Sequence, residues 1–122
     1  VIQSDPSSQY VAILGAVTNK SHESGGIFSS SSDLEVHDVY IYSNVFEKSG
    51  QFLEANWDYI NTVDRDLGPS QSSTFDVNIW FLLPKTVPDS FSYEYWVHYW
   101  NGEPGSENNS EHESDHFWGT FP

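Results

Sequence analysis

The chain has 122 residues, of which 18 are Asp or Glu and only four are Lys or Arg, a formal net charge of −14 at pH 7. A surface of that sign repels phosphate backbones and anionic headgroups, which argues against nucleic-acid and membrane-surface roles, and its self-repulsion is screened in strong salt. The absence of Cys excludes a disulfide framework, a thiolate metal site and a thioether lipid anchor, while 37% hydrophobic and 16% aromatic residues suffice for a single-domain core built heavily from Phe, Tyr and Trp.

Short runs of Val, Ile, Phe, Tyr and Trp alternate with Ser, Gly, Asn, Asp and Pro, and no stretch keeps a 3.6-residue apolar period, so the chain reads as all-β. The N-terminal arm, residues 1–8, holds a short strand candidate at Val1-Ile2. From Gln9 to Asn19, Val11, Ile13, Gly15 and Val17 share one face and Tyr10, Ala12, Leu14 and Ala16 the other, as in a central strand covered on both sides. Ser21 to Asp33, with Gly25-Gly26 and four consecutive Ser, reads as a polar loop pinned by Ile27-Phe28. Glu35 to Glu47 alternates Val39, Ile41 and Val45 against Tyr40, Tyr42 and Phe46. Lys48-Ser49-Gly50 then turns the chain into a partner strand, Gln51 to Ile60.

Asn61 to Ser72 reads as a connection. Ser73 to Leu83 shows the most regular alternation, with Phe75, Val77, Ile79 and Phe81 facing one way and Asp76, Asn78 and Trp80 the other. After a linker between Pro84 and Pro88, Phe91 to Trp100 puts Phe91, Tyr93, Tyr95, Val97 and Tyr99 on one face and Trp96, His98 and Trp100 on the other. Residues 101–122 form an acidic segment that ends in an aromatic strand, His116 to Phe121. The expected fold is a single immunoglobulin-like antiparallel β-sandwich of about six or seven strands spanning residues 9–100 plus this tail, with a small β-barrel as the alternative.

Gly15-Ala16-Val17-Thr18-Asn19 resembles the G-x-V-x-N strand end of FxLYD domains, small extracytoplasmic sandwiches of archaea and bacteria. Val39-Tyr40-Ile41-Tyr42 with Phe46, Gly50 and Leu53 is similar to their central hairpin, and Leu67-Gly68-Pro69 through Phe75 to their entry into the next strand. Two departures stand out: Gly68-Pro69 replaces Pro-Gly, and the Cys that anchors many members to lipid is missing. The resemblance implies an extracytoplasmic, archaeal-type surface domain and brings no catalytic residues. No apolar run approaches the ~20 residues of a membrane span, and a chain opening at Val1 is expected to be the mature form of an exported protein. Asn19 and Asn108 stand in Asn-x-Ser sequons and are the glycosylation candidates.

His112, Glu113, Asp115 and His116 supply imidazole and carboxylate of the kind that suits Zn²⁺ or Cu²⁺, although a four-residue His spacing aligns two ligands only on a helix. Asp64-Arg65-Asp66-Leu67-Gly68 echoes the start of a Ca²⁺ loop without the closing Glu. No Gly-x-Ser-x-Gly elbow or triad context occurs, so no enzyme activity and no required cofactor are expected. Large rings on the second faces of two strands need a cover or a partner. Val1, Ile2, Trp80, Trp96, Trp100, Phe117 and Trp118 are therefore the subunit-interface candidates. The functional expectation is a secreted cell-surface structural protein, a homo-oligomer or polymer that assembles into filaments by adding a terminal strand to a neighbour. The alternative is a monomeric extracellular module that binds polysaccharide through Trp80, Trp96 and Trp100, or metal through the C-terminal His residues.

Overall fold

A computed structural model describes residues 1–20, 36–60, 66–67, 71–101, 107 and 109–122, and among them there is no helix. The strands are β1 (Ile2–Asp5), β2 (Tyr10–Thr18), β3 (Val36–Phe46), β4 (Phe52–Tyr59), β5 (Asp66–Leu67), β6 (Ser72–Trp80), β7 (Phe91–Asn101), β8 (Ser110–Glu113) and β9 (Phe117–Phe121). They form two antiparallel sheets, one ordered β1-β2-β6 and the other β4-β3-β7-β8, with β5 also on β3 and β9 also on β7. The chain crosses from sheet to sheet after β2, before β6 and again before β7, and the sheets stay open rather than closing into a barrel. This is the expected β-sandwich.

Two strands exceed the expectation. β5 interrupts a stretch read as pure connection, and β8 rises from the acidic tail, whose exposed side chains give no apolar alternation to find. The core lies where the regular alternations meet: Val11 and Ile13 from β2, Val39, Ile41 and Val45 from β3, Val77 and Ile79 from β6, and Phe91 from β7, all at most 2% exposed. β2 is indeed central, with β1 and β6 on its two sides.

Turns form where the chemistry calls for them. Between β1 and β2 the Asp5 carboxylate accepts the Ser7 hydroxyl (2.7 Å) and the Ser8 N–H (3.1 Å), and Pro6 presets the backbone for the Gln9 N–H to reach its carbonyl. These bonds, led by the Ser7 hydroxyl, hold the Asp5 carboxyl below its ordinary pKa. Between β3 and β4, Gly50 takes φ +100° and its N–H closes on the Glu47 carbonyl at 2.8 Å.

One long side of the sandwich is sealed and the other is open. On the sealed side Asn56 of β4 donates to the Asn78 carbonyl of β6 at 2.5 Å, and Asp58 accepts the Asp76 N–H at 2.9 Å, so β4 side chains satisfy the β6 edge. On the open side β1 and the end of β2 face the inner surface of β7, β8 and β9 across a groove of about 930 Å³, whose lining includes Ile2, Val17, Tyr93, Tyr99, His112 and Phe117.

Candidate functional site: the outer face of the six-stranded sheet

Paired residues on neighbouring strands project to the same side of a sheet, so the register maps the outer face row by row. Trp57, Tyr42 and Trp96 are partners across β4, β3 and β7; the next row is Tyr59, Tyr40 and His98, with Glu113 of β8 beside it. Beyond that come His37, Trp100 and Glu111, and on the other side Ala55, Asn44, Glu94 and Trp118. Phe46 and Phe52 end the face.

The rings touch continuously. Trp57 meets Tyr40 edge-on (centroids 5.6 Å apart), Tyr40 packs on Tyr59 (4.9 Å) and Tyr42 (6.0 Å), Tyr42 stacks on Trp96 (5.6 Å), and Trp96 stacks on His116 (4.2 Å, planes 4° apart). A second group joins Phe52, Phe46 and Trp118. Trp57 is 53% exposed and Trp118 63%, while Trp96 and Trp100 are half-buried among their neighbours. An all-polar outer face would be the ordinary solution for a solvated sheet, and this one carries aromatic rings instead.

Polar groups are threaded between the rings. Glu94, 8% exposed, accepts Asn44 Nδ2 (2.8 Å) on one oxygen and His116 Nδ1 (2.7 Å) on the other, which satisfies a buried carboxylate from both sides. The Glu94 hydrogen bond, helped by Glu113 3.7 Å away, holds the His116 imidazole above its ordinary pKa against the opposing effect of burial. His98 Nε2 bonds Glu111, whereas His98 Nδ1 and the Trp96 indole N–H are buried with no hydrogen-bond partner among the described residues. At the far end His37 Nδ1 pairs with Asp38 (2.9 Å), Nε2 meets Asn109 Oδ1 (2.8 Å), and Tyr59 donates to Asp38 (3.3 Å). Asp38 itself adopts φ +50° at an irregularity in the β3–β7 register, which brings its carboxylate to these two partners. His37, which reads in the sequence as an ordinary surface residue, is only 4% exposed.

The sequence candidates are redistributed. Trp96, Trp100 and Trp118 lie on this face, but Trp80 projects from the three-stranded sheet, 56% exposed beside Tyr10 and followed by the exposed Leu82 and Leu83, so it shares no surface with them. The shared platform of Trp80, Trp96 and Trp100 is thereby corrected: alternation within a strand cannot tell which sheet the strand joins. Val1 and Ile2 extend their own β2, with the Val1 ammonium on the Leu14 carbonyl and the Leu14 N–H on the Val1 carbonyl, both at 2.9 Å. Phe117 and Trp118 belong to β9, which pairs with their own β7.

The C-terminal His pair does not converge. Between β8 and β9 the three residues Ser114, Asp115 and His116 stand opposite two, Trp96 and Val97, a bulge that reverses the alternation. His112 therefore faces inward, stacked on Tyr99, and His116 outward on Trp96. Among the described residues no three His, Asp or Glu side chains are grouped to hold a metal ion; of the proposed ligands His112, Glu113, Asp115 and His116, Glu113 and His116 lie 3.7 Å apart, while His112 faces the other side of the sheet. Of the Ca²⁺-loop residues only Asp66 and Leu67 are described, as β5, with Leu67 buried in the core; the remainder lie outside the described residues. Asn19 is 7% exposed and its Nδ2 donates to the Leu67 carbonyl at 2.8 Å, so the nitrogen that would carry a glycan serves the fold; Asn108 lies outside the described residues.

The sequence points to Trp96, His98 and Trp100 but misses Trp57, Tyr59, Glu94 and Glu111 as members of one surface. The pairing of β4 and β8 with the central strands assembles them. No protein-family model, curated protein or solved structure matches this chain, and the chemistry of this face is what its functional reading rests on.

Proposed function

We propose that the protein is an extracellular, non-enzymatic binding module that holds a polysaccharide against the outer face of its six-stranded sheet. The observation that carries this reading is the row Trp57, Tyr42, Trp96 and His116, four ring systems side by side across three strands and the bulge beside them, with Trp57 more than half exposed. Sugar rings offer apolar C–H faces to such a row and hydroxyls to the polar groups set among it. Trp and Tyr supply large contact area with little side-chain entropy to lose. An extracytoplasmic location and kinship with FxLYD-type surface domains are parts of the same proposal, and the acidic exterior fits a solvated module in a salty medium.

The test is binding to a panel of soluble and insoluble polysaccharides by affinity electrophoresis and pull-down. Trp57→Ala and Tyr42→Ala should each weaken retention at least about tenfold, the loss expected when a central aromatic contact worth about 1.4 kcal/mol or more is removed, with the far-UV spectrum unchanged. Retention of no polysaccharide, or equal retention by both variants, overturns the reading.

Self-assembly is the second reading, and the open side of the sandwich favours it. The strands that border the groove, β1, β8 and β9, each have one edge free of a partner strand among the described residues, and Val1 at the rim is 85% exposed. Exchange of β1 between subunits would keep every pairing and change only its donor, as in domain swapping. Light scattering on the full chain and on a chain lacking residues 1–5 tests it: polymers that disappear on deletion support exchange, and a monomer in both cases removes it.

A further inference from the structure

We infer that the polysaccharide of the outer face is a cationic one, a polymer of amino sugars carrying free ammonium groups. The inference rests on the reading of this face as a glycan-binding surface and adds the sign of its ligand.

The strand residues that form the face include Asp38, Glu94, Glu111 and Glu113, and none of them is Lys or Arg. Among the described residues the basic side chains on these strands are imidazoles, and each already has an acidic partner: His37 with Asp38, His98 with Glu111, and His116 with Glu94 and Glu113. The side chains of Asp38, Glu111 and Glu113 nevertheless remain 48%, 56% and 56% exposed, so the second oxygens of Glu111 and Glu113 and the remaining lone pairs of Asp38 can accept more. Carboxylates beside ring faces are a setting that favours an ammonium ion, which gains both the Coulomb attraction and the ring quadrupole.

The chain contains an example of this pairing at the end of the same face. Lys85 places its ammonium 5.8 Å from the centre of the Phe52 ring, 3.5 Å from the Glu54 carboxylate and 2.7 Å from the Leu53 carbonyl. An amino sugar brings an ammonium and an apolar ring face in one unit, which matches rings and carboxylates interleaved across neighbouring strands. The field of a chain with net charge −14 would repel uronate or sulfate polymers and gives a neutral glycan no advantage. A basic peptide shares the charge but lacks the regularly spaced C–H ring faces that a row of aromatic rings can stack against.

The experiment compares three probes by calorimetry in mildly acidic buffer, where sugar amines are charged and Glu is still ionised. They are a soluble β-linked glucosamine oligomer, its fully N-acetylated counterpart, and oligolysine of equal charge. The free-amine oligomer should bind at least tenfold more tightly than the N-acetylated one. Its advantage should shrink in 1 M salt and in the triple variant Asp38→Asn/Glu111→Gln/Glu113→Gln, and Trp57→Ala should weaken both sugars. Equal or tighter binding of the N-acetylated oligomer overturns the inference and leaves the glycan reading standing. Oligolysine binding as tight as the free-amine sugar also overturns it, in favour of a basic peptide. If no sugar in this set or in the polysaccharide panel binds, both readings fall together.

Discussion

Gly119 sits opposite Tyr93 in the β7–β9 register, and a Cβ added there would collide with the Tyr93 ring and its hydroxyl. Gly15 and Phe75 repeat the device across β2 and β6, where an added Cβ would come within 2.8 Å of the ring. In both, a ring lies over a bare backbone, an arrangement that pins register as well as filling space. Gly119→Ala is expected to destabilise by about 1–3 kcal/mol, the usual cost of overpacking, and Tyr93→Ala in the same chain should relieve part of it. Urea denaturation of the single and double variants checks this; a neutral Gly119→Ala contradicts the close packing. His116 makes a prediction about pH. Its folded pKa is raised above 6.5, chiefly by the Glu94 hydrogen bond, so the folded state favours the imidazolium. That stabilisation is complete below the unfolded value of 6.5 and is lost as pH climbs through the higher folded one. The His116 ring resonance should titrate above 6.5, and the urea midpoint should fall through that window less steeply in His116→Asn. A titration midpoint at or below the ordinary value would contradict the Glu94 contact.

At the scale of the element, the bulge at Ser114, Asp115 and His116 decides what the C-terminal segment presents. Its geometry is held by Ser114, whose N–H reaches the Val97 carbonyl at 2.8 Å while its Oγ accepts the Val97 N–H at 2.9 Å. Without the extra residue Trp118 would turn inward and Phe117 outward, because a one-residue slip exchanges the two sides of a strand. Deleting Asp115 should therefore detach β9 or rotate it. The expected signs are faster hydrogen exchange at the Phe91 to Tyr95 amides, which pair with β9, and red-shifted Trp fluorescence. Unchanged exchange at those amides would mean that the bulge carries no such weight. The same bulge sets His112 and His116 on opposite sides of the sheet: four residues along a regular strand would place both on one side, about 13 Å apart, and one inserted residue turns them away from each other.

For the whole molecule, charge is the dominant variable. With a net charge of −14 the compact state works against its own repulsion, so the thermal midpoint should rise between low salt and about 1 M monovalent salt, where the Debye length is about 3 Å. A gain of about 1 kcal/mol corresponds to roughly 4 °C for a chain of this size. A midpoint that stays level or falls over that range removes the electrostatic argument. The architecture adds an asymmetry. The β4–β6 side is closed by Asn56 and Asp58, whereas the β1 and β8–β9 side borders the groove, so added salt or a ligand acts on an exterior whose two long sides differ.

The sequence by itself determined the long strands and their inward sets. The alternation of Val39, Ile41 and Val45 and of Phe75, Val77, Ile79 and Phe81 was legible because a strand between core and solvent must repeat every two residues. The Gly50 turn was legible because few residues accept φ +100°. Only the tertiary structure decided which outward rings share a surface. Trp57 joins Trp96 while Trp80 leaves for the opposite sheet, and β8 forms from exposed polar residues by pairing with β7. Pairing between distant strands is set by how two sheets stack and by single-residue bulges, and neither leaves a period in the sequence.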